Sequence, residues 1–121
     1  MAVTLASNTV INNMPNLDVT GSASQTGSTA TASLPAVAGK TNVLTGFDVS
    51  ATGTITAGTV TVTGVGSGTL TYGVPVGLTT PLVVQFTAPL ICSSGTNTAI
   101  TVACSTLGAA TSFVNVYGYQ I

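Results

Sequence analysis

Valine and threonine alternate along this chain with a period of two. The run Thr59-Val60-Thr61-Val62-Thr63 is the clearest case, and Val43 to Ala51, Leu82 to Phe86 and Ile100 to Cys104 follow the same rhythm. Side chains two residues apart share one side of a strand, so this period specifies a half-buried strand. β-branched residues are stiff at χ1 and suit a pleated surface better than a helix. Threonine alone takes 24 of the 121 positions. No segment of ten or more residues carries the three-and-four apolar spacing of an amphipathic helix. The expectation is an all-β chain.

Glycine and proline divide the chain into short extended pieces. Residues 3–11, 17–20, 43–51, 54–57, 59–63, 69–76, 81–87, 98–104 and 112–121 read as strands. Gly58 reads as a bulge between two of them, and Pro89 as the stop after residue 87. Val43, Phe47, Val49 and Ala51 form one apolar face, with Asp48 and Ser50 on the other; the strand at 69–76 carries Leu70, Tyr72 and Val74; Leu82, Val84 and Phe86 are expected inward; and Ile100, Val102 and Cys104 share one side. Seven to nine short strands with frequent turns suit an antiparallel β-sandwich, jelly-roll-like, with two sheets of about four strands. An immunoglobulin-like sandwich is the rival, but the chain has no Trp and its cysteines are too close for the usual inter-sheet bridge. Residues 21–33 are small and low in complexity, and read as a loop or as an arm that orders on a partner. The chain is thus one compact domain, with residues 1–39 an arm or loop-rich segment carrying one or two short strands and 40–121 the sandwich body.

Charge narrows the function. Lys40 is the sole basic residue, Asp18 and Asp48 are the sole acidic ones, and Arg, His and Glu are absent. Charged residues make up 2%, against about 25% in an average domain. Nucleic-acid binding requires several cations against phosphate, and anionic membrane requires a polybasic patch; neither partner is expected. General acid–base and nucleophilic chemistry rely on residues this chain lacks. Asp18, Asp48, Cys92 and Cys104 are too few and too scattered for a metal site. No enzyme, catalytic residue, metal or cofactor is expected. Cys92 and Cys104 are either bridged or packed as thiols. A hairpin at Ser93–Asn97 would set Cys92 opposite Ala99 or Ile100, which favours thiols. The first eight residues lack the basic and apolar regions of a signal peptide, and no apolar run reaches the length of a membrane-spanning helix.

A net charge of -1 leaves little repulsion between copies and few charges to guard sheet edges. Such a surface is expected to be covered by protein, as a homo-oligomer docked on a larger assembly. Met14, Pro15, Asn16 and Leu17 offer a compact anchor in a polar stretch. Tyr117, Tyr119 and Ile121 are candidates for a subunit interface, where Tyr is favoured, with ordinary sandwich core as the other reading of the aromatics.

Several stretches carry a resemblance. Asn42-Val43-Leu44-Thr45-Gly46-Phe47-Asp48-Val49, Gly68-Thr69-Leu70-Thr71-Tyr72 with Pro75-Val76-Gly77, Pro81 to Phe86, Asn97 to Val102 and Val116-Tyr117-Gly118-Tyr119 resemble small capsid-associated proteins of tailed bacteriophages. The resemblance covers residues 40–121 and implies a head decoration, or cement, protein. Such a protein is β-rich, often a jelly roll and often a homotrimer. It is made in the host cytoplasm and sits on the outer surface of the virion, clamping capsomers of the major capsid protein. The resemblance implies no catalytic residues. Two other functions fit the composition: a receptor-binding or tail-fibre head module, and a bacterial surface-layer or pilus subunit. The lack of Trp weighs against the first, and the lack of a secretion signal against the second.

Overall fold

A computed structural model describes residues 16–66 and 68–121. They form eight strands: β1 (Asn16–Thr26), β2 (Ala30–Leu34), β3 (Asn42–Thr52), β4 (Gly58–Val65), β5 (Gly68–Val74), β6 (Leu82–Ile91), β7 (Ile100–Cys104) and β8 (Thr111–Gln120). One sheet has the order β1-β8-β3-β6 and the other β2-β7-β4-β5. Every pairing is antiparallel. Two four-stranded sheets in these orders make an eight-stranded jelly-roll sandwich.

The core lies between the sheets and follows the period of two. On β4, Val60, Val62 and Val65 are buried, while Thr59 and Thr63 are exposed. Val114 and Val116 of β8 and Ile100 and Val102 of β7 are fully buried. Phe47 of β3 reaches across to Tyr72 of β5, edge-on at 5.3 Å, and lies 6.3 Å from Phe86 of β6. Each fully buried aliphatic or aromatic side chain of this kind contributes about 1.5–3 kcal/mol.

Several expectations are corrected. Residues 21–33 are not a loop: β1 runs through Thr26 and β2 covers Ala30–Leu34. The sandwich body therefore draws two strands from the segment read as an arm. Thr54–Ala57 is not a strand, and Gly58 opens β4 rather than bulging it. Pro89 lies inside β6, which is tolerated because β6 is an edge strand with one unpaired side. The pairing of β3 shifts between Leu44 and Gly46. This bulge reverses the faces, so Leu44 joins Phe47 in the core cluster, while Val43, paired with Tyr119, is buried outside that cluster. Residues 3–11, read as a first strand, lie outside the described residues.

The cysteines are both reduced and buried. The chain from β6 to β7 crosses between sheets instead of turning back in one, which removes the hairpin geometry assumed for Cys92. Burial pushes the Cys104 thiol up, partly offset by the Ser112 hydroxyl. Ser112 Oγ is itself buried and makes no hydrogen bond of normal geometry among the described residues.

Two buried amides tie one end of the sandwich together. Asn42 Nδ2 donates to the carbonyls of Pro35 and Thr98, both at 2.8 Å, and Gln120 Nε2 donates to Asn42 Oδ1 at 2.9 Å. Beside them the sheets approach closely over two glycines. A Cβ on Gly118 would strike the Val43 carbonyl oxygen and come within 2.6 Å of Leu34 Cδ1, and one on Gly21 would strike the Ser33 carbonyl oxygen. Gly118→Ala is therefore expected to lose about 3 kcal/mol, the cost of overpacking against backbone. Gly73→Ala, where the new methyl meets open space, is expected to change stability by less than about 0.5 kcal/mol. Denaturant midpoints of the two variants check this, and equal midpoints would contradict it.

Candidate interaction face

Alternation that buries one side of β8 presents the other. Phe113, Asn115, Tyr117 and Tyr119 all project from the outer face of the first sheet, while Ser112, Val114, Val116 and Gln120 are buried. The aromatics of β8 are thus surface residues and not sandwich core. Strand pairing sets them in rows. Ser22, Asn115, Asp48 and Val83 form one row across β1, β8, β3 and β6. Ser24, Phe113 and Ser50 form the next.

Asp48 is the hub of this face. Its Oδ1 accepts from Asn115 Nδ2 at 2.8 Å, and its Oδ2 accepts from the Tyr117 hydroxyl. Charge-assisted bonds of this type are shorter and stronger than neutral ones. The carboxylate is thereby committed to its own sheet. Apolar groups surround it: Val83 is 60% exposed, Tyr117 40% and Phe113 38%. A depression of about 270 Å³ lies between Tyr117 and β6, lined by Gly46, Val83 and Gln85 among others. Farther along β6, Ile91 is also exposed. Among the described residues no group of three or more His, Cys, Asp or Glu could hold a metal ion.

The candidate interface residues divide between this face and one end of the sandwich. Tyr117 and Tyr119 lie on the face. Ile121 follows β8, exposed, and its backbone pairs with Thr41 through bonds of 2.7 and 3.0 Å. Asn16 opens β1 opposite Gln120, and Leu17 falls in the irregularity before Val19. Met14 and Pro15 lie outside the described residues. Sequence reasoning placed Asp48 on the polar side of its strand but missed its partners, Asn115 and Tyr117. They are 67 and 69 residues away, and only strand pairing joins them. Phe113 and Val83 were missed as surface groups, although Phe113 shares the parity of Tyr117.

No protein-family model matches this chain, and no curated protein matches it significantly.

The hydrogen bond to Asp48 holds the Tyr117 hydroxyl above the ordinary tyrosine range, with burial and the carboxylate charge acting in the same direction. A group whose pKa is raised by folding adds stability below its unfolded value, about 10 for tyrosine, and that stability is lost as pH rises through the folded value. Spectrophotometric titration of the native protein should show one late-ionising tyrosine. Tyr117→Phe should remove that phase and flatten the alkaline fall in stability. A native protein without any late phase would contradict the assignment.

Proposed function

We propose that this chain is a structural virion protein that decorates the outside of a bacteriophage capsid as an oligomer and cements contacts between capsomers. The observation that supports this most is the outer face just described. It carries exposed apolar groups, Asp48 is held by Asn115 and Tyr117 of its own sheet, and the four strands of the sheet carry no Lys or Arg to attract nucleic acid. Apolar burial and backbone complementarity are the forces such a face can use. The jelly-roll sandwich is compatible with this role, though the fold alone would also serve others. The resemblance of residues 40–121 to capsid-associated proteins adds the shell as the partner and a trimer as the oligomeric state.

Cementing then works by mass action. A ligand that binds only the assembled shell stabilises it by RT ln(1 + [L]/Kd) per site. An oligomer touching several capsomers adds avidity, because later contacts form at high effective concentration. No residue of the chain is assigned a catalytic role, and neither metal nor cofactor is needed.

Added to empty shells of its own phage, the protein should cosediment to a fixed stoichiometry and raise the shell melting temperature. Val83→Asp places an unpaired charge on the outer face. It should weaken shell binding at least about tenfold while leaving the melting of the protein itself nearly unchanged. Shells that melt identically with and without the protein would end the proposal.

A further inference from the structure

Across β8 from Tyr117 lies a second, more polar depression. It has a volume of about 370 Å³ and is lined by Ser22, Ala23, Ser24, Phe113 and Asn115. That volume falls within the range of about 300–1,000 Å³ of small-molecule sites. We infer that it is a binding site for a neutral sugar, with Phe113 as the stacking platform and Asn115, Ser22 and Ser24 as hydrogen-bonding groups.

Four observations carry the assignment. Phe113 leaves 38% of its surface open, flanked by Ser24 on one side and Ser50 on the other. An aromatic ring bordered by hydroxyls suits a pyranose, whose ring has apolar C–H faces and a polar rim. Asn115 is held in place from β3, since its Nδ2 is committed to Asp48 at 2.8 Å. That bond fixes the amide and leaves its carbonyl oxygen, which has no partner among the described residues, as an acceptor for a sugar hydroxyl. The hydroxyls of Ser22 and Ser24 are exposed and have no partner among the described residues. Each can donate one hydrogen bond and accept two. Finally, the five lining residues carry no charge, and Asp48 behind them is already doubly bonded. Phosphate, sulfate or a sialylated sugar would find no cation here, so the complementary ligand is an uncharged polyol. Asp48 acts as a positioning residue, through Asn115.

This site belongs to the free chain, because a shell seated on the same outer face would cover it. A shallow, preformed site with one aromatic contact implies a dissociation constant on the order of 1 mM. The test is saturation-transfer NMR of the full chain with methyl α-D-glucopyranoside, methyl β-D-galactopyranoside and maltose, each at up to about 50 times that constant. At least one of the three should receive saturation, with shifts in the Phe113 ring resonances. Phe113→Leu keeps the apolar bulk and removes the ring, and should weaken binding about tenfold. Val76→Ala, in the exposed turn between β5 and β6, should leave binding unchanged, and circular dichroism confirms that both variants are folded. Binding should be the same at about 1 M salt. No transfer to any of the three sugars would overturn the inference. Undiminished transfer in Phe113→Leu would also overturn it, because it would put the sugar elsewhere.

Discussion

Neutral hydrogen bonds carry nearly every specific polar contact in this sandwich, because the chain has almost no charge with which to make others. The Asn42–Gln120 pair closes one end of the core by donating to backbone carbonyls of the turns around it. Thr26 and Thr111 join β1 to β8 at the other end through a hydroxyl pair of 2.6 Å. Buried amides of this kind are modest in net energy but costly to leave unpaired. They therefore fix the ends of the sheets more than they strengthen them. Between the ends, the layer of Phe47, Val60, Val102, Val114 and their neighbours supplies the driving force. Asp48 is the exception that fits the pattern, since its charge is used to orient two neutral side chains on its own sheet.

That arrangement divides labour between faces. The inner face is closed by volume, down to the glycines at 21 and 118, where backbone from a neighbouring strand occupies the space of a side chain. The outer face of the β1-β8-β3-β6 sheet is left to hydroxyls, one oriented amide and a few exposed apolar groups. A face of this composition has no long-range field to steer a charged partner. What it offers is shape, hydrogen-bonding groups and apolar area, and both proposed roles draw on these.

Much of the fold was legible because alternation is a direct imprint of burial. β4 and β7 carry it without interruption, and their inner residues are the apolar ones that the sequence pattern sets on one face. β1 beyond Thr20 and all of β2 are not legible. Their inner positions are small, with Gly21, Ala23, Ala30 and Ala32, since the sheets approach too closely there for large side chains. Small residues give no hydrophobic contrast, so residues 21–33 read as a loop. The bulge at Thr45 was hidden for a different reason. Val43, Leu44 and Phe47 are all apolar, and either parity yields a plausible face. The outer face was half legible. The shared side of Phe113, Tyr117 and Tyr119 follows from spacing, but their meeting with Asp48 follows from register between distant strands, which a single sequence does not print.

The proposed association with protein, in an oligomer and on a shell, uses neutral contacts alone. Sedimentation velocity of the purified full chain, from about 10 μM to 1 mM and at low salt and about 1 M salt, tests this most directly, because screening acts only on charge. An oligomer of constant size at both salt levels is the expected result. A monomer at the highest concentration, or an oligomer that falls apart as salt is raised, would contradict it.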